Sequence, residues 1–206
     1  MNNEKSFHRG LVAPLDRSDV DIDQIMPKQF LKRIERTGYG EFVFYEWRYN
    51  PDKSINKDFV LNKDEYKGAT ILVTGPNFGT GSSREHAVWG LIQFGFKAII
   101  APSFGDIFYS NAIENNLWVI KVKDTSKLIQ NALNIKNYYL NIDLEKQIVY
   151  DDYNYVLEFE IDPASKLRLI KGWDSIDLVL QFEDKIKEYE KNRPIFYPDT
   201  YKSVLK

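Results

Sequence analysis

Residues 75–87, GPNFGTGSSREHA, set three glycines, two serines, an arginine, a glutamate and a histidine between two apolar runs. A turn of this composition bares backbone N–H groups, lets a ligand approach the main chain and offers a planar guanidinium, Arg84, to a carboxylate. A helix beginning near Ser82 would add unsatisfied N–H donors and roughly half a positive charge. In such a field a serine could carry transient negative charge and act as a general base. The plainer alternative is that Ser82 or Ser83 only caps the helix, with Glu85 supporting the cap.

Other chemistries fit the turn poorly. A P-loop needs G-x-x-x-x-G-K-[ST], but Thr80 stands five residues after Gly75 and the turn has no lysine. The dinucleotide pattern G-x-G-x-x-G starts at Gly79 and Gly81 and then meets Arg84 instead of glycine. A G-x-S-x-G elbow is absent, and Ser82 and His86, four apart, show no third group to orient a base.

The elements that must hold this turn follow from periodicity. ATILVT (69–74) is a β-branched apolar run, and SREHAVWGLIQFGF spaces Ala87, Leu91 and Phe94 as one helix face. AIIAP (98–102), FGDIFYSNAIENN with Ser103 as N-cap, and WVIKV (118–122) continue the alternation. The expected class is α/β with a parallel β-α-β core.

Upstream, LVAPL (11–15) reads as a strand and PKQFLKRIER as a helix with Pro27 in its first turn, while 37–68 reads as an irregular, partly helical excursion. Downstream, a helix is expected at 125–134, an antiparallel hairpin about Asp151–Asp152, two C-terminal helices broken by Gly172, and a surface tail from Arg193. Trp89, Phe94 and Phe96 read as core, His86 as a hydrogen-bonded structural residue and His8 as a solvated side chain.

Composition narrows the function. With 206 residues, 43% of them hydrophobic, one core and a single domain over 1–206 are expected. A net charge of −2 gives no reason to expect a nucleic-acid or membrane partner. The chain has no cysteine, so a cysteine-ligated zinc or iron–sulfur centre must come from elsewhere. MNNEKSFHRG has no apolar signal region, and a cytoplasmic protein is expected.

NFGTGSSREHA (77–87) resembles the signature of the small, swivelling β/β/α domain of the aconitase superfamily. APLDRSDVDIDQIMPKQFLKRIERTGYGEFVFYEWRYN (13–50), DFVLN, GFKAIIAPSFGDIF, FEIDP and GWDSIDLVL resemble, more narrowly, the bacterial small subunits of 3-isopropylmalate dehydratase. The resemblance implies a swivelling α/β domain with a parallel β-α-β core, an added antiparallel hairpin and C-terminal helices. It implies a hydro-lyase of leucine biosynthesis that isomerises 2-isopropylmalate to 3-isopropylmalate through 2-isopropylmaleate and is active only with a large subunit carrying a [4Fe–4S] cluster.

On that resemblance Ser82 is the catalytic base and Arg84 holds a substrate carboxylate, assisted by Ser83 and the Gly81 backbone. Arg33 or Arg36, in the loop that faces the substrate's variable group, reaches a second carboxylate unless both are surface charges. DVDID (19–23), which could suggest a hard-cation site, becomes a structural turn beside the cleft. No cofactor is expected on this chain. A sister dehydratase acting on homoaconitate or citraconate, or a non-catalytic carboxylate-binding module, is the alternative. Val88, Thr80, Val119 and residues 164–168 depart from the family pattern, and none of them touches Ser82, Ser83 or Arg84.

Overall fold

The computed structural model describes residues 6–31, 37–81, 84–173 and 175–192. The chain gathers into two compact units, Met1–Gly172 and Trp173–Lys206. In the first, seven strands form one mixed sheet in the order β4-β3-β2-β1-β5-β6-β7. Strands β1 (Phe7–Leu15), β2 (Ile71–Thr74), β3 (Ala98–Ala101) and β4 (Trp118–Lys121) run parallel. Antiparallel β5 (Tyr139–Asp143), β6 (Ile148–Asp151) and β7 (Val156–Glu158) extend the sheet beyond β1.

The parallel strands are short and apolar because both their faces are covered. Ile71, Leu72, Val73, Ala98, Ile99 and Ile100 are fully buried. Helices α3 (Glu85–Phe94) and α4 (Asp106–Glu114) make the crossovers, and α5 (Ser126–Asn134) leads into the antiparallel half. Burying an aliphatic side chain of this size is worth about 1.5–3 kcal/mol, so the β1–β4 layer forms the rigid centre of the unit.

The α/β class and the parallel core are as expected, and several local expectations are corrected. The first strand spans Phe7–Leu15 rather than 11–15, because its amino-terminal half pairs with β5. The helix expected from Pro27 is replaced by a four-residue α1 (Ile22–Ile25) and a 3-10 turn at Lys28–Phe30; residues 32–36 lie outside the described part. In the excursion over 37–68 short turns and α2 (Tyr45–Arg48) bury Tyr39, Val43 and Phe44.

The hairpin about Asp151–Asp152 is present as β6–β7, but a second turn at residues 144–147 makes the segment a three-stranded meander. Asp151 shapes the later turn by accepting bonds from the Tyr153 and Tyr155 N–H groups, both at 2.8 Å. Helix α6 (Pro163–Lys171), capped by Asp162, ends at Gly172. The second unit holds α7 (Ser175–Leu180) and α8 (Glu183–Lys191), and the tail from Arg193 lies outside the described residues.

Candidate functional site

The glycine-rich turn lies at the carboxyl ends of the parallel strands, where open α/β sheets collect their ligand-binding loops. It is sewn to the loops that follow β1 and β3. The Gly79 N–H donates to Val20 O at 2.7 Å and the Ile22 N–H to Thr80 O at 2.9 Å. The Phe78 N–H donates to Ser103 O at 3.1 Å, and the Gly105 N–H returns to Phe78 O at 2.9 Å. Three segments far apart in sequence thus behave as one.

Two glycines are required by this geometry. Gly79, at φ +76°, lies against the ring of Phe108, which a Cβ would strike. Gly81, at φ +93°, faces the Asp21 carboxylate, 2.5 Å from where its Cβ would be. Asn77 also takes a left-handed conformation, at φ +59°, and its amide donates to Asp19 Oδ1 at 2.8 Å. Ser103, expected as a helix cap, instead accepts a bond from the Asn77 N–H at 2.9 Å, and Gly105 takes the cap position of α4. The signature asparagine needs that hydroxyl more than the helix does.

Arg84 is the N-cap residue of α3, at φ −124°, so the helix begins at Glu85 rather than near Ser82. Its side chain, one-fifth exposed, turns back across the site and pairs through Nη1 with Asp23 Oδ1. The other Asp23 oxygen receives Lys28 Nζ at 3.0 Å. Burial pushes the Asp23 carboxyl up, but the Lys28 hydrogen bond and the Arg84 charge outweigh it, and the net shift is downward. Asp23 is itself fixed by its backbone, whose N–H donates to Asp21 Oδ1 at 2.5 Å in the capping box that starts α1.

DVDID is therefore a structural turn, as the resemblance implied, and its carboxylates cap a helix, hold Asn77 and pair with Arg84. That Asp23 is the partner of Arg84 was not legible, because 61 residues separate them and no periodicity links the two. Glu85, expected to support a serine cap, accepts instead from Asn115 Nδ2 at 2.8 Å, while Asn115 Oδ1 takes the Trp89 indole N–H at 3.0 Å. His86, expected to be a hydrogen-bonded structural residue, is instead placed by ring packing, edge-on against Tyr39 and near Trp89 at centroid distances of 5.3 and 4.8 Å.

His8 is corrected from a solvated side chain to a half-buried one that shares a 2.8 Å hydrogen bond with Thr70 Oγ1. Ser82, Ser83, Arg33 and Arg36 lie outside the described residues. A hollow of about 660 Å³ lined by Lys121, Lys123, Lys146 and Glu158 is distinct from this site and takes none of its residues.

The donor set does not fit an iron–sulfur cluster. There is no thiolate in the chain, and among the described residues no three His, Asp or Glu side chains gather to hold a metal ion.

Residues 4–125 match the family model of the aconitase C-terminal domain. The 3-isopropylmalate dehydratase small subunit of Anoxybacillus flavithermus is 55% identical over 188 residues, covering 90% of this chain and 96% of that protein. Its counterpart from Bacillus subtilis is 49% identical over 187 residues, covering 90% and 94%. The crystal structure of a 3-isopropylmalate dehydratase from Methanocaldococcus jannaschii superposes with a TM-score of 0.65 at 26% identity, covering 90% of this chain and 99% of that one. With its strand–turn–helix signature at the carboxyl edge of a parallel sheet, the chain belongs to the aconitase C-terminal domain family, among the small subunits of 3-isopropylmalate dehydratase.

Proposed function

We propose that this chain is the small subunit of a hydro-lyase that interconverts 2-isopropylmalate and 3-isopropylmalate through 2-isopropylmaleate, with residues 1–206 acting as one domain in the cytoplasm. The observation that carries the reading is the placement of Arg84. Its guanidinium, at the first residue after the glycine-rich turn, is anchored by Asp23 on the loop that the Gly79 and Ile22 N–H groups bind to that turn, and so offers a planar fork for a carboxylate there. No described helix is long and apolar enough to cross a membrane.

In this reading Ser82, as the alkoxide, takes the carbon-bound proton next to a substrate carboxylate, the C–H electron pair becomes the double bond, and the C–O bond on the adjacent carbon breaks with its pair on oxygen. The proton passes from Ser82 to the departing hydroxide, so that water leaves and the alkoxide is restored. Re-addition in the opposite sense yields the isomer. Such a proton is weakly acidic, so the base must be strong, and turn N–H groups with the nearby guanidinium lower the cost of an alkoxide. Arg84 holds one carboxylate, Ser83 and the Gly81 backbone assist, and Arg33 or Arg36 meets the second. The iron–sulfur group belongs on a large subunit, since the donor set here cannot hold it.

The test is anaerobic hydration of 2-isopropylmaleate, followed by its ultraviolet absorbance, with this chain, the large subunit of the same organism, and their mixture. Activity is expected only in the mixture and should fall roughly 10²- to 10⁴-fold in Ser82→Ala. Turnover of citraconate or a homoaconitate-type diacid instead would move the chain to a sister reaction. Undiminished turnover in Ser82→Ala would remove the serine from the chemistry.

A further inference from the structure

The Arg84 guanidinium, which the proposed function gives to the substrate, is already paired with a carboxylate of its own chain. Asp23 occupies Nη1, and among the described residues it is the one acceptor that Arg84 has. Asp23 cannot swing away with its helix, because the Ile22 N–H donates to Thr80 O at 2.9 Å and the Ile22 and Ile25 side chains are buried in the core. A substrate carboxylate arriving at Arg84 therefore meets a fixed negative charge beside its target. Lys28 changes that balance, since its ammonium takes the second Asp23 oxygen at 3.0 Å.

We propose that Lys28 is a positioning residue that acts through Asp23: by drawing off part of the Asp23 charge it keeps Arg84 oriented and still able to accept a substrate carboxylate. The inference rests on the proposed function for its substrate. The three groups together carry one net positive charge, enough for one incoming carboxylate. Without Lys28 the cluster is neutral, and the guanidinium is fully engaged by Asp23. A guanidinium has five N–H donors in a rigid fork, so it can keep an end-on bond to Asp23 and offer its remaining edge to the substrate. That sharing is favourable only if the two carboxylates are not both uncompensated.

Lys28 is the most exposed of the three, its side chain 68% accessible, so the effect is a modest one on binding. In the reconstituted two-subunit enzyme Lys28→Ala should raise KM for 2-isopropylmaleate about three- to tenfold with kcat within about twofold. In the double variant Asp23→Asn with Lys28→Ala the loss should disappear, leaving KM within about twofold of Asp23→Asn alone, because Lys28 then has no charge to offset.

A lysine that touches the substrate or the large subunit directly would instead give a KM increase that Asp23→Asn leaves untouched, and that result would overturn the proposal. A purely structural role would appear as a lower melting temperature in Lys28→Ala without the coupling. The isolated full chain supplies a readout that needs no turnover. The Arg84 Nη1–H protons, which make the bond to Asp23, should exchange more slowly with water in Lys28→Ala than in the wild type and faster in Asp23→Asn. If the wild-type complex fails to hydrate 2-isopropylmaleate while this order of exchange holds, the substrate reading falls and the charge device stands. If turnover is normal but neither KM nor exchange responds to Lys28→Ala, the device is wrong and the function stands.

Discussion

Gly79 shows how closely single atoms govern this site. Its positive φ and the Phe108 ring beneath it leave no room for a methyl group, and Phe108 is 2% exposed and braced edge-on by Phe78 at 5.4 Å. Gly79→Ala should therefore combine the strain of a left-handed alanine with overpacking, a loss of about 2–4 kcal/mol. The midpoint of urea unfolding measures it. A loss under about 1 kcal/mol would show that the turn can slide away from Phe108, and with it that Arg84 is less firmly placed than its pairing with Asp23 indicates.

Among the elements, helix α3 carries the signature at its start, and its first turn is held by α4. The Asn115 amide bridges the Glu85 carboxylate and the Trp89 indole, tying two successive helices together at the end nearest the site. Asn115 also returns a bond to Asn111 O at 2.9 Å, closing the last turn of α4. Asn115→Ala would remove an acceptor from the Trp89 indole N–H and release Glu85. The expected cost is about 1–3 kcal/mol by chemical denaturation. A smaller loss would mean that water replaces the bridge, and α3 would then owe its placement to Ala87, Val88 and Leu91 in the core.

Across the first unit, the amino-terminal strand couples the two halves of the sheet, and His8 makes that coupling sensitive to pH. Burial, and then the charge of Lys97, hold the imidazole below its ordinary value of 6.5. Between the lowered folded value and 6.5 the unfolded chain binds the proton that the folded chain refuses. Stability is thus full above pH 6.5 and declines as the pH falls through that window. His8→Gln should flatten this part of the stability–pH curve while keeping a hydrogen-bonding group for Thr70. A curve that keeps its slope in the variant would assign the dependence to other groups.

The sequence by itself determined the class of fold and singled out the glycine-rich turn. β-branched runs such as ATILVT, apolar spacing at Ala87, Leu91 and Phe94, and the cluster NFGTGSSREHA are local patterns, and local patterns report period and conformational freedom directly. The missing cysteines likewise excluded a cysteine-ligated iron–sulfur centre on this chain. Only the tertiary structure decided that Asp23, itself held by Lys28, pairs with Arg84, that Ser103 serves Asn77 rather than a helix, and that β1 lies between β2 and β5. These are meetings of residues distant along the chain. They leave no periodic trace, because they are set by how the packed strands bring their carboxyl ends together.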